Sequence, residues 1–350
     1  MKKWAVAAAA ALLLISGCSN NKDTATKPKE KEKAVDKVVE KEEQKQEEIA
    51  YYFPLTGIKS EAKTDGRAVA VMINNHPKAR PQSGLNKADI VYELLAEGDV
   101  TRFLAVFQSE KPLNVGPVRS ARDYYIELAK GLNALYIAHG YSPEAKQLLD
   151  NNYIDNINGM AYDGTLFKRS STRKAPHNSY ITYENILKGA EQNKFSMKTN
   201  PPSFQFVKED QIDVTGNDAK TVMISYSNGG ISNSIYEFDQ ALGKYKRFTD
   251  GEQTVDLDSK EPVLIDNLFI IEAQHKVIDS EGRRDINLKS GGKAYLVQMG
   301  KMNEVSWENR DGRIVPVKDG AEVSLVPGKT WVNVVPTKPG LSQSVSFDAQ

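Results

Sequence analysis

Two arginines three positions apart stand in the run Gly116-Pro117-Val118-Arg119-Ser120-Ala121-Arg122-Asp123. A helix beginning after Ser120 places Arg119 just before its N-terminus and Arg122 in its first turn. Free backbone N–H groups, the positive end of the helix dipole and two guanidinium groups then converge, which suits a phosphate, pyrophosphate or carboxylate. Two cations beside a positive dipole end also call for a compensating anion. Either a ligand supplies it, or Glu93, Glu97 or Asp123 does so in an ion-pair network. A second polar cluster, Asn74-Asn75-His76-Pro77-Lys78-Ala79-Arg80, directly follows an apolar run and so leaves the end of a strand, where α/β folds commonly bind ligands. Its amides and imidazole offer donors and acceptors, and Arg80 offers a planar cationic fork; a turn bonded to its own backbone is the alternative. A third, basic stretch from Lys168 to Ser179 carries Arg173 and His177. It reads as the other wall of an anion cleft or as a solvated loop. His139 closes another apolar run. The candidate ligand-binding set is therefore Asn74, Asn75, His76, Arg80, Arg119, Ser120, Arg122, His139, Arg173 and His177.

Evidence for catalysis is thinner. Asp89 and Glu93 are the candidates for acids or cation ligands, and no catalytic residue is assigned. No zinc spacing, Walker loop, nucleophile elbow or dinucleotide fingerprint is present, so neither metal nor cofactor is expected. Trp307 and Trp331 lie on strand-like runs, where they either stack on sugars or fill a core. The 46 Lys and Arg balance 46 Asp and Glu, and no basic stripe exists, which argues against a nucleic-acid partner.

The elements that must position these residues divide near Lys198-Thr199-Asn200-Pro201-Pro202-Ser203, where two prolines favour an extended linker. Before it, residues 51–199 alternate short apolar runs (68–73, 90–95, 103–107 and 134–138) with helical stretches at about 120–130, 143–150 and 183–193. Ser142, Thr182 and a box of Ser120 with Asp123 supply N-terminal caps. This spacing predicts an α/β or α+β domain. After the linker, residues 203–350 alternate apolar and polar with turn signals at Asp239–Gly243 and Asp311-Gly312. That pattern predicts a mainly-β domain of sandwich or barrel-like form.

Ahead of both lies Met1-Lys2-Lys3, an apolar stretch to Ile15, then Ser16-Gly17-Cys18. A dozen or so apolar residues suit a signal-peptide h-region better than a membrane span of about 20 residues. Ile15-Ser16-Gly17-Cys18 resembles the bacterial lipobox. The resemblance implies cleavage of residues 1–17, a diacylglyceryl thioether on Cys18, a further acyl group such as palmitate on its amine, and residence on the outer face of the cell membrane. Cys18 is the single cysteine, so no disulfide competes for it. Residues 18–50 hold eight Lys and nine Asp or Glu after Cys18. With so little apolar surface they are expected to form a disordered, hydrated tether.

From Tyr52 onward the chain resembles the YerB-like lipoproteins of Gram-positive bacteria, a family defined by a domain of unknown function. Val71–Gly84, Ala88–Glu93, Thr101-Arg102-Phe103, Gly116–Arg122, His139–Pro143 and Pro327–Val332 carry the likeness, which implies two domains and a surface location but no catalytic residue. Ala88-Asp89-Ile90-Val91 followed by Val118–Arg122 also resembles the LytR-CpsA-Psr phosphotransferases, where an acid holds magnesium and arginines hold a lipid pyrophosphate. The expected function is a membrane-anchored binding module for an anionic cell-envelope ligand, such as a cell-wall polymer or peptidoglycan precursor, or for an envelope protein. A magnesium-dependent enzyme acting on phosphorylated or lipid-linked envelope material is the alternative.

Overall fold

The computed structural model describes residues 50–348 apart from Asn228; the leader, Cys18 and nearly all of the tether expected from the sequence lie outside the described residues. The first strand, β1 (Val69–Asn74), is buried along its whole length. A strand without a polar face needs cover on both sides. β2 (Ile90–Glu97) and β3 (Val100–Phe107) form a hairpin, and β3 pairs antiparallel with β1. α1 (Asp123–Gly131), β4 (Leu135–Ala138), α2 (Pro143–Asp150) and β5 (Asn156–Asn158) follow, with β1, β4 and β5 mutually parallel. β6 (Ser179–Thr182) leads into α3 (Tyr183–Gln192). The N-terminal part is mixed α/β.

The C-terminal part is mostly β. It comprises β7 (Thr221–Ile224), β8 (Ser234–Asp239), β9 (Lys244–Thr249), β10 (Asn267–Ala273), β11 (Gly292–Gln298), β12 (Lys301–Arg310), β13 (Arg313–Lys318), β14 (Thr330–Pro336) and β15 (Val345–Phe347). It does not close into its own sandwich or barrel. β14 inserts between β2 and β10, parallel to both, and joins the two parts in one 12-stranded sheet ordered β13-β12-β11-β10-β14-β2-β3-β1-β4-β5, with short strands Ala321–Glu322 and Asn217–Asp218 at β13 and β12. β7, β8, β9 and β15 belong to a second, six-stranded sheet. Pairing between β14 and β2 spans more than two hundred residues of chain, which local periodicity does not encode.

The pleat sorts the core into two halves. Ala70, Met72, Tyr92, Leu94, Leu104 and Val106 face α1 and α2, whereas Val69, Val71, Ile73, Val91, Phe103 and Ala105 face α3 and the six-stranded sheet. Each aliphatic side chain so buried contributes roughly 1.5–3 kcal/mol. A one-residue slip would exchange the two sets and fit neither layer, so register is strongly fixed.

α2 and α3 begin where their caps predict, with Ser142 Oγ accepting from Ala145 N at 3.2 Å and Thr182 Oγ1 from Asn185 N at 3.1 Å. α1 departs from expectation. Its N-cap is Arg122, without a side-chain cap bond, and Ser120 Oγ donates instead to His139 O at 3.2 Å. Backbone bridges of Val118 to Ile73 and of Ala121 to Tyr141 hold residues 118–121 extended. They delay the helix past the arginines.

Candidate functional site

Parallel strands β1 and β4 end side by side, and their last residues lead directly into Asn74-Asn75-His76 and His139-Gly140. The extended segment 118–121 runs between these ends, with Arg119 N donating to Met72 O at 2.9 Å and His139 N donating to Arg119 O at 3.0 Å. Arg173 brings up the last wall. Its Nη1 donates to Ala79 O and Tyr180 Oη and its Nη2 to Pro81 O, each at 2.7 Å. This pins the 168–178 loop against the turn after β1, and the His177 ring stacks on His76 with centroids 4.6 Å apart and planes at 27°.

The result is a cleft of about 370 Å³ lined by Asn74, His76, Arg102, Arg119 and His177 on the N-terminal side. Glu97 and Val100 line its floor, and Glu281 and Arg283 close it from the tip of a C-terminal hairpin. That hairpin, His275–Val277 with Arg284–Ile286, is tied to the β2–β3 turn by Arg284 Nη2 donating to Gly98 O at 2.7 Å.

Three arginines and one carboxylate set the electrostatics. Arg102 donates through Nη2 to both oxygens of Glu97, at 2.7 and 2.6 Å, and through Nη1 to Ser120 O at 2.7 Å. Arg122 pairs with the same Glu97 and donates to Ala121 O. Arg119 has no side-chain hydrogen bond or ion pair among the described residues. Burial and then the neighbouring Arg102 bring its guanidinium pKa down to about 10. A largely desolvated cation facing another cation is costly unless an anion joins it.

The hydrogen bonds also fix the imidazoles. Asn74 Oδ1 accepts from His76 N at 3.0 Å, so its Nδ2 is the atom that donates to His177 Nδ1 at 2.9 Å. His76 Nδ1 accepts from Lys78 N at 3.1 Å. Both rings therefore carry their proton on Nε2 when neutral. Burial, first, and the surrounding cations, including Arg119, push both pKa values below the ordinary imidazole value. At neutral pH the site presents a guanidinium and two Nε2–H donors.

The other candidate residues serve the scaffold around this cleft. Arg80 donates from Nε to Asn75 O and Oδ1, pairs with Asp250 at 2.5 Å and reaches Ile231 O at 2.7 Å. It ties the turn to the C-terminal part. Asn75 Nδ2 donates to Thr101 Oγ1 at 2.8 Å and Glu93 Oε1 at 3.3 Å. Glu93, fully buried, meets Arg247 Nη2 at 3.1 Å through each oxygen and accepts from Trp331 Nε1 at 3.0 Å. The Arg247 guanidinium stands 5.0 Å from the Trp331 ring. Trp331 and Trp307 are both core residues. His139 Nδ1 lies 2.7 Å from buried Ser179 Oγ while its Nε2 accepts from Arg169 at 3.0 Å. These bonds leave His139 in the supporting layer.

Asp89 lies elsewhere. Its carboxylate accepts from Gln108 N, Ser109 N and Ser109 Oγ, at the end of β3 opposite Arg102. Six residues of strand separate them, about 20 Å at 3.3–3.4 Å per residue. This separation does not fit the alternative reading in which Asp89 holds magnesium for a pyrophosphate on the arginines. Burial raises the Asp89 pKa to about 6. Among the described residues no group of three or more His, Cys, Asp or Glu is placed to hold a metal ion.

Sequence reasoning missed Arg102, whose signal is a charged residue inside the otherwise apolar run of β3, and the hairpin tip with Glu281 and Arg283. For Arg119 and Arg122 the sequence leaves a ligand and an ion-pair network through Glu93, Glu97 or Asp123 as alternatives; Arg122 pairs with Glu97, and Arg119 has no ion pair among the described residues.

Two family models match, described as the N-terminal and C-terminal domains of a protein of unknown function, DUF3048, over residues 55–196 and 222–332. The chain is 50% identical over 287 residues to the "Putative lipoprotein YerB" of Bacillus subtilis (strain 168), covering 81% of this chain and 86% of that one. The crystal structure of the YerB protein from Bacillus subtilis superimposes with a TM-score of 0.79 at 46% identity, over 85% of this chain and 99% of that chain. No helix among the described residues is long and apolar enough to cross a membrane.

Proposed function

The chain belongs to the DUF3048 family, and from that premise we propose that it is a lipid-anchored binding protein of the outer membrane face whose cleft around Arg119 holds an anionic cell-envelope ligand. The lipobox-like Ile15-Ser16-Gly17-Cys18 and the name of the Bacillus relative support the anchor. Two acyl chains give stable membrane attachment where one is marginal. The observation that carries the binding reading is the guanidinium of Arg119, desolvated beside Arg102 and without a carboxylate partner among the described residues. Its neighbour Arg122 shows the contrast, since Glu97 neutralises it. Wall polymers, lipid-linked precursors and peptidoglycan peptides all present phosphate or carboxylate within reach of an anchored domain.

Calorimetric titration of the compact unit Ile49–Gln350 with wall-polymer fragments, lipid phosphates and muropeptides tests this. Saturable binding by at least one anion class, lost in Arg119→Met while the fold is kept, supports it. Equal binding by wild type and Arg119→Met, or none by either, refutes it.

A further inference from the structure

The neutral tautomers of His76 and His177 are set by donors to their Nδ1 atoms, so each ring keeps an Nε2–H that has no protein partner among the described residues. Both rings line the cleft with Arg119. Donors therefore come from three separate chain segments. On the sheet side Arg102 and Arg122 share the single carboxylate of Glu97, and Arg119 stands beside Arg102 with no ion pair among the described residues. At the mouth, Glu281 lines the cleft, Lys78 adds a positive charge felt by both imidazoles, and Arg283 is paired with Asp279. Arg80 and Arg173, behind the imidazoles, are engaged with Asp250 and with backbone carbonyls respectively. The excess is close to two positive charges, which one carboxylate ligand does not match. A volume of about 370 Å³ is enough for a phosphoryl group and the substituent that carries it.

Resting on the anion-site reading above, we infer that the cleft selects a terminal phosphoryl group, a tetrahedral dianion bound by Arg119 and by the Nε2–H groups of His76 and His177, and that binding takes up a proton on this histidine pair. The added proton goes to an Nδ1 and displaces the bond from Lys78 N or Asn74 Nδ2; a dianion seated against the stacked imidazoles favours the charged form enough to outweigh that bond and reverse the effect of the surrounding cations. Affinity then rises as pH falls, by linkage. Diesters and carboxylates, with less charge at one point, bind less tightly.

The test uses sulfate, a tetrahedral dianion that does not itself titrate near neutrality, with inorganic phosphate and malonate as comparators. Calorimetry at pH 8 and pH 6 should show sulfate binding at least about tenfold tighter at the lower pH, because linkage gives about tenfold per pH unit over the range in which a full proton is taken up. With four histidines in the chain, the imidazole Cε1–H resonances are resolvable by NMR. Those of His76 and His177 should titrate at higher pH in sulfate, while those of His139 and His275 stay. The double substitution His76→Gln, His177→Gln should leave weaker, pH-independent sulfate binding through Arg119. Should that variant fail to fold, the wild-type NMR titration decides alone. Malonate binding as tightly as sulfate, or sulfate affinity and imidazole titration unchanged between the two conditions, overturns phosphoryl selection and leaves the anion site standing. Sulfate binding unchanged in Arg119→Met overturns the site itself.

Discussion

Replacing Arg119 by methionine should stabilise the folded protein while removing its anion affinity. Arg119 is charged at pH 7 in both folded and unfolded chains, so the cost of desolvating it in the native state is fully present there. Its pKa, brought from 12.5 to about 10, corresponds to roughly 3 kcal/mol at 1.36 kcal/mol per unit. Solvent contact at the cleft mouth reduces this to about 1–2 kcal/mol. Methionine keeps most of the side-chain volume and carries no charge. Urea unfolding in chloride buffer free of multivalent anions should therefore move to a higher midpoint at unchanged slope. Adding sulfate should stabilise the wild type by about 2.7 kcal/mol at a hundred times Kd and leave the variant where it was. A variant destabilised by more than about 1 kcal/mol, or stabilised by sulfate as much as the wild type, refutes the reasoning, because Arg119 would then be a structural residue.

Arg247→Met leaves the Glu93 carboxylate buried without its cation and should cost about 3–5 kcal/mol in urea unfolding. Adding Glu93→Gln to it should recover most of that loss, and a single variant within 1 kcal/mol of wild type contradicts the role given to the pair. A methyl group on Gly159 would lie 2.2 Å from the His139 ring. Gly159→Ala should displace that ring from Ser179 at about 1–3 kcal/mol, visible as a shifted His139 Cε1–H resonance; an unmoved resonance counts against the packing described. Burial lowers the His275 pKa to about 4, so the stability this residue contributes is present above pH 6.5 and lost as pH falls toward 4. Relative to wild type, His275→Gln should become more stable by about 2 kcal/mol over that interval, and a pH-independent difference would exclude the residue as an acid-sensitive point.

The parts of the fold governed by local chemistry are legible in the sequence. Ser142 and Thr182 mark α2 and α3 because capping is settled within four residues, and Asp311-Gly312 marks the β12–β13 turn because both residues take positive φ. The N-terminal α/β and C-terminal β character follow from periodicity. What the sequence hides are distant partners. Nothing near Thr330–Pro336 says that β14 will lie against β2, and nothing near Arg80 says that Asp250 will neutralise it. The same limit applies at the site. Two arginines around Ser120 signalled an anion, but which of them already had one depended on Glu97, on a strand whose register is set by the core. α1 begins late for a similar reason, since the bridge from Val118 to Ile73 is a tertiary contact.

A crystal structure of the unit Ile49–Gln350, grown without sulfate or phosphate and then soaked in phosphate, tests the central claim most directly. Density for a tetrahedral anion is expected within hydrogen-bond distance of the Arg119 guanidinium and of Nε2 on both His76 and His177, with Arg102 and Arg122 still on Glu97. Arg119 paired to a protein carboxylate, with the anion bound elsewhere or not at all, would contradict it.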